Sequence, residues 1–141
     1  MTSRRTHERG QAAVFLIGTL VLAVAFVGVA VDGARLFTAR RDLSAVADSA
    51  ALAGASAIDE QAYRASRGTQ LRLDPDRARA AAVAILEAAN LPRDTQVDVV
   101  ASTDAIEVRI SRPVPAVFLR VVGLTSETIG AHARAAPRRS G

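Results

Sequence analysis

Between Arg9 and Asp32 the chain runs through twenty residues, Ala12 to Val31, without a single charge. Twelve of them are Val, Leu, Ile or Phe; the rest are five Ala, two Gly and Thr19. Wound as an α-helix at ~1.5 Å per residue, the run covers ~30 Å, the thickness of a bilayer's hydrocarbon core. Twelve large apolar side chains at about −0.3 to −0.6 kcal/mol each favour insertion by roughly 4 to 7 kcal/mol. A core helix of a soluble protein carries a polar face, and this run has none. It therefore reads as a membrane-spanning helix at 12–31. The charged start also suits a cleaved signal peptide, but the apolar run exceeds the ~7–15 residues of a signal's central region.

Arginine counts on the two flanks tie: Arg4, Arg5 and Arg9 precede the span, and Arg35, Arg40 and Arg41 follow it. The three preceding ones lie nearer the membrane edge, and acidic residues weigh little in the positive-inside rule. The expected arrangement is a single pass through the cytoplasmic membrane, with a short tail (1–11) inside and everything after the span outside. The lack of cysteine is compatible with export.

Composition removes several functions. Aromatic residues make up 4% of the chain, too few for a base-stacking nucleic-acid platform. Without cysteine there is no thiolate catalysis or cysteine-ligated zinc, and two histidines, His7 and His132, cannot build a His-rich zinc site. All eighteen basic residues are arginine, so P-loop and Schiff-base chemistry lack their lysine. The net charge of +4 is thinly spread, with no basic stripe for nucleic acid. No cofactor, metal or small-molecule substrate is expected.

Past the span, residues 32–58 contain no proline and are rich in Ala, Leu and Arg, which predicts that the helix continues. Leu36, Leu43, Ala50 and Ala57 are seven apart, and Ala39, Val46 and Ala53 form a second row, together an a/d stripe. Of the fourteen residues from Ser44 to Ala57, eleven are Ala, Ser or Gly, as at Ala47, Ala51 and Ala55. Small side chains permit close backbone approach. The stripe suits either the protein's own C-terminal domain or another helix, of a second copy or a partner.

Residues 59–73 are polar and aperiodic and read as a linker. Asp74 then caps a helix with Pro75 at its first position, ending at Asn90. Val97 and Val99 alternate with Asp98, and Ile106, Val108 and Ile110 alternate with Glu107 and Arg109, which predicts a hairpin across Ser102–Thr103–Asp104. Pro113 is expected to end the second strand, Ala116 to Val122 to form a short helix, and Glu127 to Ala135 a last strand that reaches the sheet by a parallel crossover. The fold class is thus α+β: a long N-terminal helix followed by a small α-β-β-α-β domain (74–135) with a three-stranded mixed sheet. Residues 136–141 read as a disordered tail.

Glu8 to Ala55, with Arg9–Gly10 before the span, Val31–Asp32 and Arg35–Leu36 after it, and Ala47–Asp48 with Ala50–Ala51 leading to Gly54, resembles the N-terminal segment of TadE/TadG-like proteins of the tight-adherence (Flp) pilus-assembly systems. Ser111 to Ala135 is similar to that family's second half. The resemblance implies a membrane-anchored, pseudopilin-like component of a pilus or secretion apparatus, whose partners are the membrane, other apparatus subunits or a second copy. Some relatives are cut after a glycine by a prepilin peptidase and carry glutamate at the fifth mature position. Gly10 is the corresponding glycine and Gln11 the first mature residue, but Phe15 stands at position five.

Two further readings remain. An accessory single-pass envelope protein, a secretion chaperone or a sensor, would share the anchor and the exposed domain. A membrane-tethered enzyme would draw on Asp104, Glu107, Arg109 and His132, which alternating strand charges and a hairpin turn also account for.

Overall fold

A computed structural model of the chain describes residues 4–118, 120, 123 and 126–138. It contains one long helix, α1 (Arg4–Ala55), a short helix α2 (Glu60–Ala65), a helix α3 (Pro75–Ala88) and three strands, β1 (Gln96–Ala101), β2 (Ile106–Pro115) and β3 (Ser126–Ala135), an α+β architecture. The chain divides into two compact units. One comprises residues 1–35 and 115–126, the other residues 36–114 and 127–141.

The first unit holds the apolar part of α1, which is long and apolar enough to cross a membrane. Only 6% of its most apolar window is buried, so it is not the core helix of a globule. Phe15 is 78% and Phe26 74% exposed.

The second unit has its own core. Ile106, Val108 and Ile110 line the inner face of β2 and are fully buried with Leu73. Ile129 and Ala133 of β3 share that face, while His132 and Arg134 lie on the other. Opposite the branched β2 side chains, α1 presents Ala39, Leu43, Ala47, Ala50, Ala51 and Ala55. The small residues let the helix axis come close to bulky strand residues, so few large side chains suffice to fill the space.

Helix α3 starts where Asp74 accepts hydrogen bonds from the Asp76 and Arg77 N–H groups. It ends before Asn90, which has a positive φ of 50°, the conformation of a helix-terminating Asn. Its buried face is Ala78, Ala82 and Leu86, four residues apart, and Ile85 stays 37% exposed on the flank. Arg79 Nη1 donates to the Val99 carbonyl of β1 at 2.9 Å.

Three sequence expectations are corrected. The sheet is antiparallel, in the order β1-β2-β3, with Gln96 opposite Ser111 and Ala101 opposite Ile106. Only ten residues separate β2 from β3, short of the dozen or more that a parallel crossover needs. The second correction explains this shortness: β2 does not stop at Pro113 but continues to Pro115. Pairing with β1 ends at Ser111, so beyond it that side of β2 is an open edge. Pro113 and Pro115 are two apart, so their missing N–H groups fall on one side of the strand, and proline is accepted in a strand whose edge is open. Third, the stretch 59–73 contains α2, capped by the Asp59 carboxylate on the Ala62 N–H, and is pinned at both ends. Ile58 bridges Leu73, Asp59 N–H donates to the Arg72 carbonyl, and Leu73 N–H donates to the Thr103 carbonyl. The helix expected over 116–122 and the tail over 136–141 lie in part outside the described residues.

Candidate functional site

The residues singled out by sequence fall into three places. Gly10 and Gln11 lie inside α1, both exposed, and a Cβ on Gly10 would meet nothing within 4 Å.

The helical stripe divides. Ala39, Leu43 and Ala50 are buried in the second unit's core, with Leu36, Val46 and Ala57 partly buried against it and Ala53 half-buried. Burial is deepest at Ala47 and Ala50, both 0% exposed, and extends through Ala51, Gly54 and Ala55. The buried face thus follows the 3.6-residue period of a straight helix, whereas a strict heptad falls behind it by ~20° every seven residues. Ala47 and Gly54 therefore occupy places that the heptad assigns to Val46 and Ala53. Outside this core, α1 carries Phe37, 71% exposed, and Leu52, 70% exposed.

Glu107, Arg109 and His132 meet on the outer face of the sheet; Asp104 does not join them. One Glu107 oxygen takes Arg109 Nη2 at 2.9 Å and faces His132 Nε2 at 3.7 Å, and the other faces Arg134 Nη1 at 3.6 Å. Arg109 also reaches Asp98 at 3.7 Å. Asp104 sits in the hairpin turn, where Ser102 Oγ accepts the Asp104 and Ala105 N–H groups. Cross-strand charge pairs of this kind tie neighbouring strands together on a solvated face. Beside them a cleft of about 730 Å³ opens between the sheet and α1, lined among others by Arg40, Ser44, Ser111 and His132. Among the described residues, no group of three His, Asp or Glu is placed to hold a metal ion.

The most constrained polar group lies elsewhere. Asp32, directly after the apolar run, is 2% exposed. Its Oδ2 accepts the Phe118 N–H at 2.8 Å, and the Val117 N–H reaches Oδ1 at 3.1 Å and Oδ2 at 3.2 Å. Four residues earlier, on the same helical face, Gly28 lies under the Phe118 ring: a Cβ there would stand 2.5 Å from two ring carbons. One face of α1 thus holds the loop after β2 at two points, a carboxylate for its amides and a bare backbone for its ring. Sequence reading used Asp32 as a flanking charge and as part of the family resemblance, and gave it no partner. The available signal was a Gly and an Asp one turn apart at the end of an apolar run, but nothing local names a partner some 85 residues away.

Residues 10–57 match the family described as putative Flp pilus-assembly TadE/G-like. The match covers the apolar run and the Ala-rich continuation of α1 and agrees with the resemblance read from the same residues. No curated protein and no solved structure matches the chain.

Proposed function

We propose that the chain is a membrane-anchored, non-catalytic, pseudopilin-like component of an Flp-type pilus-assembly apparatus. Its span at 12–31 sits in the cytoplasmic membrane with the N-terminus inside. The domain that follows is displayed outside and works through contacts with other apparatus subunits. The observation that carries this reading is the coincidence of the TadE/G-like match with a helix whose large apolar side chains, from Val14 to Val29, are exposed. A water-soluble protein does not leave such a surface uncovered. Because Ala39, Leu43 and Ala50 are taken up by the domain's own core, we assign partner contact to the exposed surface of α1, at Phe37 and Leu52. Cleavage between Gly10 and Gln11 belongs to the same proposal: the amino-terminal sequence of protein recovered from membranes would begin at Gln11 if it occurs.

The test is complementation. A strain lacking the gene should lose its pili and regain them with the natural sequence. Leu20→Arg with Val24→Arg puts two charges on one face of the span, at roughly 2.5 to 3.5 kcal/mol each, enough to offset its insertion energy. That variant should leave the membrane fraction and restore no pili. Normal piliation without the protein would overturn the assignment.

A further inference from the structure

We propose that the segment beginning at Ala116 is a second membrane contact, an apolar wedge lodged at the boundary between lipid headgroups and acyl chains beside the span. The inference rests on reading 12–31 as membrane-spanning and extends that reading to a part of the chain far away in sequence.

Depth is the first argument. Gly28 lies three residues inside Val31, the last residue of the uncharged run, which is ~4.5 Å along a helix. The Phe118 ring packs on Gly28, so it occupies the level of Gly28, whatever surrounds the helix there. If that surrounding is lipid, Phe118 is below the membrane surface, within the ~5–10 Å that interfacial segments penetrate. Val117 is 49% and Phe118 42% exposed, next in kind to the exposed Val27 and Val29 of the span. The apolar surface of the span thus continues onto the loop, and the bilayer that covers the one covers the other. The sequence stays apolar through Leu124 apart from Arg120, whose exposed, long side chain can carry its guanidinium up to a phosphate.

The second argument is the backbone. Acyl chains offer no hydrogen-bond acceptor, so irregular chain that reaches them needs its N–H groups satisfied from within the protein. Asp32 does this for Val117 and Phe118. In water those amides would need no carboxylate and Phe118 no seat cut into a helix. The wedge accounts for both, and for an acidic residue buried at the mouth of the span.

The chain has no tryptophan, so single Trp variants report one position each. Leu22→Trp, Val117→Trp and Phe118→Trp would be reconstituted as full-length protein in phosphatidylcholine–phosphatidylglycerol vesicles carrying nitroxide lipids labelled either shallow or deep. Val117→Trp is the primary reporter, because Phe118→Trp enlarges a packed ring. We expect Leu22→Trp to be quenched by the deep label. Val117→Trp and Phe118→Trp should be quenched more by the shallow than by the deep label, emit at shorter wavelength than in the aqueous phase and resist iodide. If Leu22→Trp is quenched while both loop positions escape both lipid labels, the wedge is wrong: iodide access would place the loop in water, and iodide shielding would place it against this chain or a second copy of it. If Leu22→Trp itself escapes quenching, the span reading fails and takes the wedge with it.

Discussion

Gly54 of α1 lies against the backbone carbonyl of Ala78 in α3: a Cβ built on Gly54 would stand 2.9 Å from that oxygen and closer still to Cδ1 of Ile106. Two helices and the central strand converge on this one missing side chain. An alanine in a helix interior ordinarily gains ~1 kcal/mol over glycine. Here the carbonyl belongs to a helix backbone and cannot swing away, so the overpacking cost of ~1–3 kcal/mol decides the sign. Gly54→Ala should lower the melting temperature of the detergent-solubilised protein by several degrees. Gly33→Ala, where an added Cβ meets nothing within 4 Å, should leave it unchanged or raise it. Equal behaviour of the two variants would contradict the close approach.

Ala50 and Leu52 are two residues apart on α1, yet one is 0% and the other 70% exposed. Ala50→Asp buries an unpaired carboxylate and should cost ~3 kcal/mol or more, so the domain unfolds or melts far earlier. Leu52→Asp should change stability by no more than about 0.5 kcal/mol. Thermal melts separate the two. Loss of co-purifying apparatus subunits in the Leu52→Asp protein, with its melt intact, is the outcome expected if this side of α1 meets a partner. Retention of those subunits would move the contact elsewhere.

How far the sequence carries the reader depends on how local the signal is. The long apolar helix, the Asp74 cap, the Asn90 stop and the alternation around Ile106, Val108 and Ile110 are written in neighbouring residues and reappear in the structure. Leu73 shows the opposite. It sits in a polar stretch without period, yet it is 1% exposed, because its environment is made by Ile58 and Thr103 from elsewhere in the chain. Pro113 misled for a related reason: a proline is a strand breaker only where a neighbour needs its N–H, and sequence does not say where β1 stops. The Asp32 site combines both difficulties, since its two halves are some 85 residues apart, with α2, α3, β1 and β2 between them.

Glu107 is flanked by Arg109, His132 and Arg134, and the side chains of those three residues are all more than half exposed. Exposed pairs contribute ~0–1 kcal/mol each, because water screens them and ordering long side chains costs entropy. Glu107→Gln removes the shared carboxylate and leaves the Arg109 and Arg134 guanidinium groups without it. The expected loss is about 1 kcal/mol or less at low ionic strength. It should shrink towards zero near 1 M salt, where the screening length falls to ~3 Å. Denaturant titrations at the two ionic strengths check this. A large, salt-independent loss would mean that Glu107 does more than bind strand neighbours.

Asp32 provides the last test, because its two oxygens are shared between two amides. Asp32→Ala removes both acceptors, and where lipid covers the loop it leaves the Val117 and Phe118 N–H groups without a partner, a penalty of ~1–3 kcal/mol for each group. The loop can escape that penalty only by leaving the helix, which would also lift the Phe118 ring off Gly28. Asp32→Asn keeps one acceptor oxygen and should fall between the natural protein and the alanine variant. Amide hydrogen exchange on protein in vesicles reads the effect directly. The Val117 and Phe118 amides should be protected in the natural protein and exchange at least tenfold faster in Asp32→Ala, since tenfold corresponds to about 1.4 kcal/mol. Amides of the second unit, such as Val108, should keep their rates. Unchanged exchange at Val117 and Phe118 would show that the carboxylate does not hold the loop, whereas loss of protection throughout the chain would make Asp32 a residue of global stability rather than of this one attachment.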